Sequence, residues 1–246
     1  MIRSMITGSP GGRRSGQPGP ALLVLAKSPV AGRAKTRLCP PASPREAARI
    51  AAAALLDTLD AVCAVPGALP LVAWTGSLAA AESRAELTRA LRRVTRFDQR
   101  GDTLGERIAA AHADGADHAP GSPLLQIGMD TPQVTAANLA EALAPLSAAV
   151  GPDAVLGPAA DGGWWALGLR DPRAAKAIES VPTSRPDTGE ATLRALRAAG
   201  LSVAVLPELR DVDTAEDALA VAAAGAGRRF SAEVAALLSR PAGVAR

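Results

Sequence analysis

The sequence predicts an α/β fold of three layers, with helices on both faces of a mostly parallel sheet. Three observations carry that prediction. Short apolar runs alternate with longer segments of helical spacing through most of the 246 residues, and five or more of those runs read as strands. The runs at Ala21–Ala26 and Leu124–Gly128 are apolar along their length, the pattern of strands covered on both faces. Charged and glycine-bearing segments recur directly after strands, where open α/β sheets bind ligands.

In chain order, Ala21–Ala26 is the first strand. Ser43, Pro44 and Glu46 then form a capping box with proline at the first helical position, and the alanine-rich stretch to Val65 has the propensity to continue that helix. Leu69–Trp74 is the second strand, Ser77–Arg92 a charged surface helix and Val94–Phe97 a short third strand. Asp102 or Thr103 caps a helix running to about Asp117. After the Leu124–Gly128 strand, Thr135 caps a helix to about Leu143, and strands follow at Ala154–Gly157 and Trp164–Leu169. Ser180–Gly189 is a polar connection, Thr192–Ala199 a helix stopped by Gly200, and Leu201–Leu206 the last strand. Thr214, with Asp217 three residues on, caps a further helix. Ser231–Ser239 closes the chain as a surface cap or the contact of a homodimer.

Composition narrows the function classes. The 27 Lys and Arg against 24 Asp and Glu leave a charge of +3, and Arg3, Arg13 and Arg14 account for it, so the body is neutral. With aromatic residues at 2% there is no stacking platform for single strands, and no nucleic-acid partner is expected. Residues 1–20 are rich in Gly, Pro, Ser and Arg and read as a disordered tail ahead of a single domain at 21–246. They lack the apolar core of a secretory signal, and no stretch approaches the roughly 18 apolar residues of a membrane helix. Cys39 and Cys63 make neither a metal pair nor a disulfide framework, which suits a reduced cytoplasmic protein. His112 and His118 fall in one helix and at its end, with no Gly-X-Ser-X-Gly elbow to support a hydrolase, and are expected to face solvent.

The chemistry concentrates in a few segments. The loop after the first strand, Lys27 to Arg37, carries Lys27, Arg33, Lys35 and Arg37 with no acid among them, and Pro29 and Gly32 shape it. It lacks the glycines of a Walker loop or a dinucleotide fingerprint, so side-chain cations must supply most of an anion site, and not all four can point inward. Asp130 stands at the carboxyl end of a buried strand just before Pro132, a poor place for core packing and a good one for a metal. Asp161-Gly162-Gly163 allows close backbone approach by a ligand, and Trp164 and Trp165 alternate faces, one for the core and the other for a pocket wall. Asp211 and Asp213 lie outside the helix that Thr214 caps and have no structural task there.

Five of these segments, in order between Ala21 and Ala224, resemble a family. AKSPVAGRAKTRL, the Gln99 to Arg107 stretch with its Gly-Asp and Leu-Gly-Glu-Arg, Asp130-Thr131-Pro132, Asp161-Gly162-Gly163 with paired aromatics, and Asp211-Val212-Asp213-Thr214-Ala215-Glu216-Asp217 are similar to those of glycosyltransferase-A-like bacterial proteins. These are labelled cofactor-C-like or radical-SAM/selenodomain-associated transferases. They are relatives of 2-phospho-L-lactate guanylyltransferase and molybdenum-cofactor nucleotidyltransferases. Where the family usually has tyrosine, this chain has Trp164 and Trp165, which loses two hydroxyls and points to a different acceptor.

The resemblance implies a nucleotide-diphospho-sugar transferase fold and a Mg²⁺-dependent transferase. Its nucleotide site would comprise Ala26, Lys27, Pro29, Gly32, Lys35, Thr36 and Arg37 of the first loop, with Gln99 and Arg107. Asp130 and Asp213 would hold Mg²⁺, Asp211 being the alternative to Asp213, and Lys35 and Asp161 would act in catalysis. The partners would be a nucleoside triphosphate and a small phosphorylated acceptor, a leaving pyrophosphate needing the charge of so basic a loop. Glycosyl transfer from a nucleotide sugar needs the same carboxylates. A nucleotide-binding protein without catalysis would have lost one of Asp130, Asp161 and Asp213, and all three are present.

Overall fold

The uninterrupted apolar run after Pro20 forms β1 (Ala21–Lys27), an inner strand of the computed structural model, which describes residues 19–225 and 227–239. The strands that follow are β2 (Leu69–Thr75), β3 (Thr95–Asp98), β4 (Leu124–Ile127), β5 (Ala154–Pro158), β6 (Trp164–Leu169) and β7 (Val203–Val205). Among the described residues they make one sheet in the order β3-β2-β1-β4-β6-β5-β7. Every pairing is parallel except the two made by β6. The carboxyl ends of β1, β2, β3 and β4 therefore share one edge, and the amino end of the reversed β6 arrives at that same edge.

The helices are α1 (Pro44–Cys63), α2 (Arg84–Leu91), α3 (Leu104–His118), α4 (Ala136–Ser147), α5 (Thr188–Ala198), α6 (Ala215–Ala223) and α7 (Arg228–Leu238). One sheet face packs Leu22, Val24, Val72 and Ile127 against α1, α2 and α4. The other packs Leu23, Leu71 and Leu124 against α3, and Leu156, Leu167 and Leu169 against α3, α5 and a 3₁₀ segment at Pro172–Ile178. These two cores make the three layers that the sequence predicts. A smaller third core lies outside them, where Phe230 and Val234 of α7 meet Ile50 and Ala54 of α1 together with Leu38, Val212 and Val221. Arg229 fastens α7 there through Asp57 and Asp60, at 3.0 and 2.7 Å. No helix among the described residues is long and apolar enough to cross a membrane.

The capping boxes at Ser43, Thr103, Thr135 and Thr214 all form, each satisfying two otherwise orphaned backbone groups. Three expectations need correction. The segment 77–92 is not one helix: a 3₁₀ turn at Leu78–Ala80 precedes α2, and the break falls at Ser83, whose φ of 51° is left-handed. The helix expected from Thr192 starts at Thr188, because Thr188 Oγ accepts from Arg185 N and donates to Pro182 O, fixing the turn from which α5 springs. His112 does not face solvent; it is wholly buried, whereas His118 is exposed and stacks on Phe97 with centroids 5.3 Å apart. Of the tail read at residues 1–20, residues 1–18 lie outside the described residues, and Pro20 O accepts from Leu69 N at 2.9 Å.

Candidate active site

A cleft of about 820 Å³ opens along the edge where the parallel strands end. The loop after β1 enters it first. Main-chain bonds from Ser28 N to Thr75 O and from Glu82 N to Pro29 O tie the loop's start to the chain beyond β2. Arg33 N and Ala34 N then close a turn on Val30 O, and a 3₁₀ turn at Thr36–Leu38 sinks Leu38 into the third core. Between those two anchors stands Lys35, with φ 47° and ψ 42°. That left-handed conformation is unfavourable for a side-chain-bearing residue, and here it turns the ammonium into the cleft.

Lys35 Nζ lies 2.6 Å from Asp130 Oδ2 and 2.8 Å from Asp213 Oδ1. Arg37 Nη1 reaches the other oxygen of Asp213 at 3.3 Å. The two carboxylates are brought together by the backbone, since Val212 N donates to Asp130 O at 3.1 Å and holds the segment 211–213 beside the end of β4. Burial acts to lower the Lys35 pKa, but the charges of Asp130 and Asp213 and the hydrogen bonds to both outweigh it, and the net shift is upward. The ammonium is therefore a fixed positive charge. Asp211 behaves differently: burial first, then the negative charge of Asp130, push it up to about 8 against the pull of Lys35, and its Oδ1 accepts from Thr131 Oγ at 3.3 Å.

Asp130 and Asp213 thus converge on a single cationic point with two hard oxygen donors, which fits Mg²⁺, an ion satisfied by one or two carboxylates with phosphate oxygens and water completing its shell. Among the described residues no cluster of three or more acid, histidine or cysteine side chains is placed to hold a metal by itself. A metal here would need its substrate's oxygens.

Most of the residues singled out from sequence border this cleft: Ala26, Lys27, Lys35, Thr36 and Arg37 of the first loop, Gln99 and Arg107, and the carboxylates Asp130, Asp161 and Asp213. Gln99 donates from Nε2 to Ala26 O and Ala73 O, both at 2.9 Å, spanning the ends of β1 and β2. Arg107 Nε donates to Gly101 O at 2.9 Å. Asp161 accepts from Gly163 N at 2.8 Å, so its turn-forming and cleft-lining positions coincide. Two residues stay out of the cleft wall. Pro29 is buried with its carbonyl engaged by Glu82, and Gly32 is the exposed tip of the turn, with φ 73° and open space around it. All four loop cations, Lys27, Arg33, Lys35 and Arg37, border the cleft, with Lys27 Nζ bracing Arg33 O at 2.9 Å.

The far wall comes from the connection before α5, where Thr183 to Pro186 and Thr188 face the cleft. It approaches so closely that a Cβ on Gly162 would lie 1.8 Å from Pro186 O, and Gly162 has φ 85° besides, so only glycine fits. The two tryptophans part as expected: Trp165 is buried with Nε1 donating to Pro207 O at 3.0 Å, while Trp164 is half-buried and lines the cleft. Sequence reasoning missed Gln126, Leu104 and Ile108. For Gln126 a signal existed, a single amide inside the run Leu124-Leu125-Gln126-Ile127; it is 2% exposed and its side chain lies against His112. Leu104 opens the Leu-Gly-Glu-Arg stretch but was not read as a cleft residue, and Ile108 carries the ordinary pattern of a helix facing a core.

The fold and site can be set beside known proteins. The model of a family described as "Uncharacterized protein conserved in bacteria (DUF2064)" matches residues 58–185, slightly more than half of the chain. No curated protein matches it. Among solved structures, a candidate nucleotide-diphospho-sugar transferase from Desulfovibrio desulfuricans G20 is 25% identical with a TM-score of 0.75, the match covering 90% of this chain and 94% of that one. A cytidylyltransferase from Leptospira borgpetersenii serovar Hardjo-bovis is 12% identical with a TM-score of 0.51, over 90% of this chain and 94% of that one, a likeness of fold alone. The sheet and its layers are those of nucleotide-diphospho-sugar transferase structures.

Proposed function

The chain belongs to this DUF2064 family, and on that premise we propose that it is a Mg²⁺-dependent transferase that moves a nucleotidyl group from a nucleoside triphosphate to a small phosphorylated acceptor. The observation that carries the reading is a cleft bordered by four loop cations, Lys27, Arg33, Lys35 and Arg37, with the carboxylates Asp130 and Asp213 paired around Lys35. That is the charge complement of a triphosphate with its metal. In the reaction an acceptor oxygen forms a bond to the α-phosphorus, the bond from that phosphorus to the bridging oxygen breaks, and pyrophosphate leaves. Placement and charge neutralisation are the protein's share of such chemistry.

In this scheme Arg37, Arg33 and Lys27 hold the phosphates that depart. Lys35, fixed between Asp130 and Asp213, would neutralise charge that develops at the α-phosphate. Mg²⁺ bound by Asp130 and Asp213 would neutralise phosphate charge and polarise the phosphorus under attack. Asp161, on the same side of the cleft as Asp211 and Asp213, orients the acceptor.

A second reading is glycosyl transfer from a nucleotide sugar, and the specific observation in its favour is the 25% identity to the candidate nucleotide-diphospho-sugar transferase. One experiment separates the two. Thermal unfolding is followed with and without Mg²⁺ across nucleoside triphosphates, diphosphates and nucleotide sugars, a ligand at 100 times its Kd adding about 2.7 kcal/mol. Stabilisation by a triphosphate and not by nucleotide sugars is the expected result. Stabilisation by a nucleotide sugar with triphosphates inert would replace nucleotidyl transfer by glycosyl transfer.

A further inference from the structure

The two carboxylates that would receive Mg²⁺ already hold a cation. Lys35 Nζ takes Oδ2 of Asp130 and Oδ1 of Asp213, and Arg37 reaches the remaining oxygen of Asp213 at 3.3 Å, so Asp213 has a cation on each oxygen. The two cations are unequal. The Lys35 side chain is 13% exposed and makes the shorter contacts, whereas Arg37 is 74% exposed, and so open a pair is held weakly. Lys35 is therefore the charge that a metal has to displace.

The distances say why both cannot stay. Mg²⁺ binds carboxylate oxygens at about 2.0–2.1 Å. An ion on the two oxygens that Lys35 holds at 2.6 and 2.8 Å would come within about 5 Å of the ammonium from any side, and in a half-buried site the two charges repel strongly at that range. Moving the ammonium away needs no change of fold. Val30 O accepts from Arg33 N and Ala34 N before Lys35, and Lys35 O accepts from Leu38 N after it, so the loop backbone is held on both sides. Rotation of the four-carbon stem is enough to carry Nζ off the carboxylates and into the cleft that Lys27, Arg33 and Thr36 also border. There, phosphate oxygens would give it the anion it loses.

We propose that Lys35 is an exchangeable counter-ion. In the free protein its ammonium occupies the carboxylate pair and keeps bare divalent cations off it, and on arrival of a triphosphate with its metal the ammonium passes to the phosphate oxygens. Metal and nucleotide then bind as a coupled pair, the metal binding poorly alone. The proposal rests on the transferase reading, which assigns the metal to Asp130 and Asp213, and it adds an order of events: Lys35 neutralises phosphate charge only after leaving the carboxylates.

The test is Mn²⁺ binding to the intact protein, read from the paramagnetic resonance signal of the free ion. It is run without nucleotide and with non-transferable analogues of the common nucleoside triphosphates, corrected for ion that the analogue itself binds in solution. Without nucleotide, Lys35→Met should bind Mn²⁺ about tenfold or more tightly than the parent, and Mn²⁺ should raise the variant's unfolding temperature and leave the parent's unchanged. Lys35→Arg, which keeps a cation between the carboxylates, should bind bare Mn²⁺ as weakly as the parent. Asp130→Asn added to Lys35→Met should abolish the gain. With an analogue present the parent's affinity for Mn²⁺ should rise, and in Lys35→Met the rise should be smaller by at least the factor gained without it. Thermal unfolding in chelator shows that each variant is folded; should Lys35→Met fail there, Lys35→Gln, which keeps hydrogen-bond donors and drops the charge, takes its place with the same expectations. Equal affinity of the parent and the uncharged variant for bare Mn²⁺, or tight binding by Lys35→Arg, would overturn the proposal, since a merely structural lysine alters stability and not metal affinity. Mn²⁺ still bound by the parent with an analogue would in that case leave the transferase reading standing. Mn²⁺ unmasked in Lys35→Met, with no analogue bound by any form, would instead sink the transferase reading and leave Lys35 as the charge that excludes the ion.

Discussion

Lys35 holds a backbone conformation that costs a side-chain-bearing residue on the order of 1 kcal/mol, and what it gains is a fixed ammonium between two carboxylates. Lys35→Gly separates the two effects, since glycine adopts the same φ freely. Unfolding temperature should stay within a few degrees of the parent while transfer falls by about 10²-fold, the usual cost of removing one preorganised charge; a variant with full activity would remove Lys35 from the mechanism. Asp130→Ala should abolish Mg²⁺-dependent activity with the fold intact, and retained activity would displace Asp130 as a metal ligand. His112 makes a different prediction. Burial holds its pKa down to about 3, with Gln126 countering only in part, so the native state stays neutral where the unfolded chain takes up a proton. Stability is then unaffected above pH 6.5 and falls as the pH drops from there toward 3, by up to about 1.4 kcal/mol per pH unit. Denaturant unfolding at pH 6.5, 5.5 and 4.5 should show a shallower slope in His112→Leu than in the parent, and equal slopes would contradict the buried neutral imidazole. Asp130 was legible in the sequence as an acid where a strand ends, whereas Lys35 stood out only as one of four loop cations and Asp213 only as one of two acids outside the helix beside them. His112 and Gln126 were not, because a lone polar residue among apolar neighbours reveals neither its burial nor its partner until the two elements are packed together.

At the level of elements, the clearest constraint is where α3 meets the 3₁₀ segment Pro172–Ile178. A Cβ at Gly105 would lie 2.2 Å from Glu179 O, a backbone atom that cannot swing aside. Gly105→Ala should therefore destabilise by about 1–3 kcal/mol, which in a domain of this size lowers the unfolding temperature by roughly 2–4 °C per kcal/mol; an unchanged melting temperature would show that the segment gives way at no cost. Because the same helix carries Leu104, Arg107 and Ile108 into the cleft, the variant should also weaken ligand binding. Strands and capped helices were read from sequence nearly to their observed ends, since apolar runs and Ser/Thr caps act locally. The break at Ser83 and the early start of α5 escaped because both depend on contacts made after folding: Glu82 N reaching Pro29 O, and Gly189 N reaching Gly162 O. The reversal of β6 was equally hidden, for pairing direction leaves no mark in a six-residue apolar run.

For the molecule as a whole, the layered core and the site are supported separately. The two large cores hold the sheet, whereas the small core beneath α7 takes Leu38 from the end of the Lys35 loop and Val212 from between Asp211 and Asp213. Phe230→Ala, in that small core, should cost on the order of 3–5 kcal/mol locally and should loosen nucleotide binding before the sheet unfolds. Hydrogen exchange would show it, with early loss of protection in α6 and α7 and none in β1 and β4; uniform loss across the chain would mean the three cores unfold as one. The order of assembly follows from the ion pairs. Lys35 and Asp213 are 178 positions apart, and Asp130 stands between them in sequence. On a chain made from its amino end at about 5–20 residues per second, the sheet strands β1, β2 and β4 exist for several seconds before Asp213 is synthesised. Until then Lys35 has only Asp130 to pair with, and the growing chain carries a basic loop without its full counter-charge. The charge pairing around Lys35 is thus completed only by the segment that follows β7, the last of the sheet's strands to be made.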